Sequence, residues 1–543
     1  MKKVITFFMI FPLILLIFSC DKNEKNNNSL LMLSLGLSGG PVNWVQDAYF
    51  KASNADAGDY FGYSIAVSGD TIVVGSSSEA SSQTGIANTD GAASADNTAA
   101  DSGAVYVFKK DASDNWIQDA YLKASNAEAG DQFGCTVAIY GNTIVVGAKT
   151  EASSQAEITN ADGSASADNS ASGAGAAYVF RKNASGNWVQ DAYLKASNSG
   201  ASDYFGHSVA VSGDTIVVGA FGEDSNAAGA NNTDGGASPN NLASASGAAY
   251  VFKRNEAGNW IQDAYLKAAN VDDGDQFGWS VSASNDTIVV SARYESSNQT
   301  GVTNTDASAS GNNLSSESGA AYVFKKDEGG NWIQDAYLKA SNANAEDWFG
   351  NSVSISGTTI VIGADKEDGG QSGVTNTDGT ASADNSADRS GAVYVFRRDA
   401  SGDWIQDAYL KASNAEAEDD FGESVCVSGD IIVVSARRED GGQTSIINSE
   451  GGADTDNSGD RTGAAYVFKK DASGNWIQDA YLKASNGTRF NEFGWAVSVG
   501  DGTVLAARID DDSGQTSITN ADGVAGADTS AADSGAVYVF SAK

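Results

Sequence analysis

The first chemistry this sequence offers is a recurring set of acid and amide side chains. Asn88 is followed by Asp90 and then Asp96; the same order returns at Asn160, Asp162 and Asp168, and at Asn376, Asp378 and Asp384. A calcium ion takes roughly six to eight hard oxygens from carboxylates, amides and carbonyls, and an Asn-x-Asp-Gly stretch offers closely spaced ligands on a sharp turn. These nine residues are therefore the metal candidates, and Ca2+ is the one cofactor expected. A second reading stands beside the first, because Asn, Asp, Ser and Gly also form turns and solvate an acidic surface. Upstream of each amide stands another acid, at Glu79, Glu151, Glu223, Glu295, Glu367, Glu439 and Asp511.

A second group of residues surrounds an invariant Phe-Gly pair. The position after Gly reads Tyr63, Cys135, His207, Trp279, Asn351, Glu423 and Trp495; the position before Phe reads Tyr60, Gln132, Tyr204, Gln276, Trp348, Asp420 and Glu492. Flat aromatic rings stack on sugars or peptide side chains while carboxylates and amides supply hydrogen bonds. Tyr60, Tyr204, Trp348, Trp279, Trp495 and His207 are accordingly the ligand-binding candidates, with packing between slightly different repeats as the alternative. No catalytic constellation accompanies them. A single histidine excludes a multi-His zinc site, Cys135 and Cys426 stand at different places in their repeats, and no Gly-rich phosphate loop occurs. The reading is a binding protein and not an enzyme.

The elements that must position these residues repeat without a slip. Phe61-Gly62, Phe133-Gly134, Phe205-Gly206, Phe277-Gly278, Phe349-Gly350, Phe421-Gly422 and Phe493-Gly494 are 72 residues apart, and so are the seven tryptophans from Trp44 to Trp476. A fixed period means that each unit buries its faces against its neighbours. Within a unit four strands are expected, as in "FGCTVAIY", "TIVVGA", "AAYVFRK" and "WVQDAYLKA". One small antiparallel sheet of this kind cannot stand alone. Seven packed radially make an all-β, seven-bladed β-propeller. The chain enters at residue 44 on a fourth strand and ends after a third, so pairing the two would complete the last blade and remove two sheet edges. The loop bearing the acids and amides, from about Gly75 to Gly103 in the first copy, should share a face with the Phe-Gly flanks.

The recurring "FG…V.V.GDTIVVGA…SGAVYVF" resembles the FG-GAP repeats of integrin alpha subunits and of many bacterial surface proteins, over nearly all of residues 44–543. The resemblance implies a seven-bladed propeller used in extracellular adhesion and ligand binding, often with calcium in its loops. The family's calcium loops read Asp-x-Asp-x-Asp-Gly-x-x-Asp between the first two strands. Here that turn is only "SGD" or similar, so those ligands are not carried over.

The formal charge of −37 opposes nucleic acid and anionic membrane surfaces as direct partners. Residues 1–19 combine Lys2 and Lys3 with an apolar run, the pattern of an export signal resembling that of bacterial lipoproteins, in which Cys20 would carry the lipid. Residues 20–43 read as a tether and 44–543 as the propeller. The chain is thus expected to be exported, lipid-anchored at the outer membrane or cell surface through Cys20, monomeric, and to bind an extracellular protein or glycan. A structural envelope scaffold and a polysaccharide-acting enzyme are the alternatives. The outer-strand charges typified by Asp47 and Lys51 are expected to form a solvated belt that discourages edge pairing.

Overall fold

A computed structural model describes residues 43–89, 91, 93–160, 165–304, 309 and 311–543. Cys20 and the tether lie outside the described residues, as do Asp90 and Asp162.

The apolar run of Thr143–Ala148 is buried along its whole length, as expected of a short strand covered on both faces. It pairs on one side with Phe133–Tyr140 across a two-residue turn and on the other with Ala176–Lys182, which pairs in turn with Trp188–Leu194. These four antiparallel strands form the second of seven sheets with the same connectivity. No helix occurs among the described residues. The innermost strands are Ser64–Ser68, Phe133–Tyr140, Ser208–Ser212, Phe277–Ser284, Ser352–Ser356, Val425–Ser428 and Val497–Gly500, which number the blades one to seven.

Blade seven is built from both ends of the described chain. Its outermost strand is Trp44–Phe50, paired antiparallel with Ala536–Ala542 from Trp44 opposite Ala542 to Phe50 opposite Val537. Asn43 and Lys543 exchange two further backbone hydrogen bonds of 3.1 and 2.9 Å. The ring is closed, and the core follows it. Seven apolar clusters lie one at each junction between adjacent blades. The seam is no exception, since Ala48, Phe50, Val537 and Val539 pack there against Phe61, Ile72, Tyr106 and Trp116.

Two features go beyond the four-strand repeat. In four blades the long loop adds a two-residue fifth strand outside the outermost one, as where Ile86–Ala87 pairs with Tyr121 and Leu122. The other three blades keep a single bridge at that place. This addition covers an edge that would otherwise be open. In addition, every outermost strand carries a bulge at its aspartate, as between Gln190 and Ala192, and such a bulge re-aims a side chain.

The Phe-Gly pair is where the chain enters the axis. Phe133 is buried edge-on against Tyr178 at 5.3 Å. Gly134 adopts φ +88°, and at Gly103 of the preceding blade a Cβ would overlap the Phe133 carbonyl. Only glycine meets both demands.

Candidate functional site

The loop face carries two rings of polar residues, an outer one that repeats and an inner one that does not. In the outer ring, Asn88 Nδ2 donates to the Trp188 carbonyl at 3.0 Å while its Oδ1 accepts from the Trp188 N–H at 2.7 Å. Trp188 opens the outermost strand of the following blade, so one amide clamps two blades. The same two bonds join Asn160 to Trp260, Asn232 to Trp332, Asn304 to Trp404, Asn376 to Trp476, Asn448 to Trp44 and Asn520 to Trp116. The circuit includes the seam.

The residues expected to ligate calcium are therefore already engaged where they are described. Asn88, Asn160 and Asn376 spend both amide ends on the neighbouring strand. Asp96 and Asp168 turn back onto Ser82 and Ser154 of their own loops, whose N–H groups donate at 3.0 Å, and these bonds hold both carboxyls below the usual range. Asp384 accepts from Ser386 at 2.9 Å, and exposed Asp378 lies 3.5 Å from Arg397. Among the described residues no three His, Cys, Asp or Glu side chains gather as a metal would need.

The upstream acid has a different fate. Glu79 is buried, and Lys123 at the end of the outermost strand pairs with it at 2.9 Å while being itself fully buried. Tyr121 Oη and Asn54 Nδ2 both donate to Glu79 Oε1, at 2.9 and 3.0 Å. Ion pairs of 2.8 to 3.2 Å recur in every blade, between Lys195 and Glu151, Lys267 and Glu223, Lys339 and Glu295, Lys411 and Glu367, Lys483 and Glu439, and Lys51 and Asp511. The expected solvated belt is corrected accordingly: its lysines point inward beneath the long loop, because a buried carboxylate there needs a cation. Its aspartates are re-aimed by the bulge to accept the indole N–H of the next blade, as Asp191 does from Trp260 at 2.9 Å. At the seam alone this bond is missing, since Asp47 pairs with Lys543 and Trp116 Nε1 has no partner.

The inner ring surrounds the mouth of the central channel. A cavity of about 520 Å³ opens there, walled by Tyr63, Trp279, Trp348 and Trp495 and by the charged groups Arg293, Asp365, Lys366, Glu423 and Arg437. Three of the six ligand candidates, Trp279, Trp348 and Trp495, thus share one cavity. Trp348 also lines a second one of about 410 Å³ with Glu317, Lys366 and Arg389. Tyr204 and His207 do not reach the central cavity. Tyr204 stacks on Phe221 at 5.0 Å, and His207 packs between Phe221 and Trp279 at 4.6 and 4.4 Å. Burial pushes the imidazole down to about 3, so it is neutral. Tyr60 stands apart, its phenol pushed up by burial and by Asp533, Asp510 and Asp101.

Cations and rings interleave around this mouth. The Arg293 guanidinium lies 3.1 Å from the ring centre of Trp279 and 5.1 Å from that of Trp348. Lys366 lies 5.2 Å over Trp348, and Arg437 lies 5.1 Å over Trp495. Such stacking is strongest where water is excluded. Behind Lys366, buried Asp420 gathers Lys366, Arg389 and Arg438 at 3.2, 2.8 and 3.1 Å. The residue before each Phe holds φ between 44° and 58° in all seven blades, though none is glycine. Strain of this kind persists only where surrounding structure imposes it.

Sequence reasoning located the two Phe-Gly flanks but missed Arg293, Asp365, Lys366 and Arg437. A third variable position would have revealed three of them: the residue after the second strand reads Ser77, Lys149, Phe221, Arg293, Asp365, Arg437 and Ile509.

These features define a closed seven-bladed propeller with a uniform perimeter and a differentiated axial mouth. The FG-GAP repeat model matches residues 44–108, 116–180, 188–252, 260–324, 332–396 and 404–468, and the chain belongs to that family. Each match runs from an outermost strand through the third strand of the next blade. The equivalent stretch 476–540 keeps the same phase, with Trp476 and Phe493-Gly494 in place. No curated protein matches the chain.

Proposed function

We propose that this protein is an exported, lipid-anchored binding propeller that takes an extracellular glycan or protein ligand at its axial mouth. The observation that carries this reading is a contrast within one repeat. Perimeter amides, lysines and acids make the same bonds in blade after blade, while the residues around the 520 Å³ cavity differ between copies and bring three tryptophans together. A varied, partly apolar concavity with a few convergent polar groups is the usual form of a ligand site. Export and anchoring through Cys20 rest on the N-terminal sequence alone.

The test is a screen of the purified chain against glycan and protein panels, repeated with Trp348→Ala and Trp495→Ala combined. The variant should lose the ligand yet melt as one folded ring. Retained binding would sink this assignment. An envelope scaffold without a small ligand is the second reading, favoured by the seven identical clamps; an empty screen together with co-purifying envelope proteins would support it.

A further inference from the structure

Within the binding reading above, the mouth has a feature that narrows the ligand. The basic residues of the propeller that break the 72-residue pattern are Lys149, Arg293, Lys366, Arg389, Arg437, Arg438, Arg461, Arg489, Arg508 and Lys543, and every one but Lys149 belongs to blades four to seven. In a chain with 70 acidic residues, most of these find carboxylate partners. Arg293 does not: no carboxylate lies within ion-pairing distance of it among the described residues. It is held in place by neutral groups, donating to Gln276 Oε1 at 3.2 Å, Asn351 Oδ1 at 3.4 Å and Tyr294 Oη at 2.9 Å, and by its stack on Trp279. A guanidinium fixed by neutral partners and facing a cavity is ready for an anion, because its planar fork matches a carboxylate.

A second observation is independent of the first. Asp365 lines the same cavity, is 3 % exposed, and keeps Oδ1 buried without any hydrogen-bond partner. Buried acceptors without partners are costly, so such an atom calls for a donor from a ligand or water. Asn351, Ser352 and Ser424 also line the cavity. Tryptophan faces, hydroxyl-matching groups and one unpaired guanidinium together describe a sugar ring that bears an acid.

We propose that the central cavity binds the carboxylate-bearing terminal residue of an acidic saccharide, with Arg293 on the carboxylate, Trp348 and Trp495 against the ring, and Asp365 accepting a ring hydroxyl. Burial pushes the Glu423 carboxyl up against the pull of Arg437, with which it pairs at 2.5 Å, so that this carboxylate is spent on Arg437 and not on Arg293. Asp365 Oδ2 is already paired with Lys366 at 3.5 Å, so it is Oδ1 that a ring hydroxyl would satisfy; an acidic peptide would offer the carboxylate without the hydroxylated ring that the tryptophan faces suit.

Titration calorimetry on the full chain tests this, with oligogalacturonate and sialyllactose as two acidic probes, and oligogalactose, lactose and polyglutamate as controls. At least one acidic saccharide should bind about tenfold or more tighter than its neutral counterpart and than polyglutamate, the scale of one charge-assisted bidentate contact. Arg293→Gln should remove that preference, Arg293→Lys should restore part of it, and Arg489→Gln should leave it unchanged, with melting curves showing each variant folded. Equal binding of acidic and neutral sugars, equal binding of polyglutamate, no binding of either acidic probe, or full acidic preference in Arg293→Gln would each overturn the inference. Binding of neutral sugars alone, lost in the tryptophan variant, would leave the broader binding function standing.

Discussion

The perimeter and the mouth of this propeller are cut from the same repeat but have diverged to opposite degrees. At the perimeter the bonds from Asn88 to Trp188 and from Lys123 to Glu79 recur blade by blade, even across the seam, where Asp511 replaces glutamate. The shorter acid keeps its lysine at 3.2 Å and its tyrosine at 2.9 Å, and gains Arg508 at 3.3 Å. At the mouth, by contrast, aligned positions read Trp, Asn, Glu and Trp in successive blades. The lesson is energetic. A ring is as strong as its weakest junction, so every junction needs the same fastening, whereas a channel mouth is shared by all blades and gains from their being different.

Opening the ring should break this comparison most severely. Deleting residues 43–50 removes the strand opposite Ala536–Ala542, the Lys51 register with Asp511, and the clamp that Asn448 makes to Trp44. The shortened chain is expected to lose its single cooperative melt and to expand in solution scattering; an unchanged melt would mean that the seam bears no load. Next in size is Lys267→Met, which leaves Glu223 buried beside Tyr265 and Asn198 without its cation. Removing one partner of a buried pair costs about 3–5 kcal/mol. Denaturant melts should show that loss, whereas Arg489→Gln on the exposed loop face should show none.

A smaller effect separates blade seven from the other six. Burial pushes Asp59, Asp131 and Asp203 up to about 7, and Asp275, Asp347 and Asp419 up to about 8. Blade seven has Asn491 instead, whose Oδ1 accepts from Thr488 N–H at 2.9 Å as Asp347 Oδ2 accepts from Asn344 N–H at 2.7 Å. An unfolded aspartate titrates near ~3.9, so the folded chain holds these protons more tightly. Their stabilising contribution is therefore complete at low pH and falls away as pH rises from about 4 to about 8. Asp347→Asn should match the parent in acid and exceed it in mild alkali, with a flatter stability profile; parallel profiles would show that this carboxyl is not protonated in the fold.

How much of this was legible depends on what a residue type can mean. The 72-residue phase, the Phe-Gly entry and the split blade were readable because each depends on spacing, and spacing survives translation into structure directly. Lys123 was misread because a charged residue ending an exposed-edge strand normally faces water. Only the long loop folded over that edge, bringing Glu79 with it, turns the lysine inward. Arg293 was missed for a related reason: it follows a strand that every copy shares, and its meaning arises only when Trp279 and Trp348 from two blades converge on it.

The loop amides pose the hardest case, because the oxygen that suits calcium is also the oxygen that suits a backbone N–H. In the fold, Asn160 Oδ1 accepts from Trp260 at 2.6 Å and its Nδ2 donates back at 2.9 Å, which fixes the amide flat against the neighbouring strand. Asp168 meanwhile accepts from Ser154 N–H at 3.0 Å and Ser170 Oγ at 2.9 Å. An ion coordinated by this pair would have to release bonds that join blade two to blade three, so its binding energy would be spent on loosening the ring. Melts in calcium and in chelator are therefore expected to superimpose, the smallest effect of the series. A calcium-dependent rise of several degrees that Asn160→Ala abolishes would reverse the assignment, making the amides ligands first and clamps second.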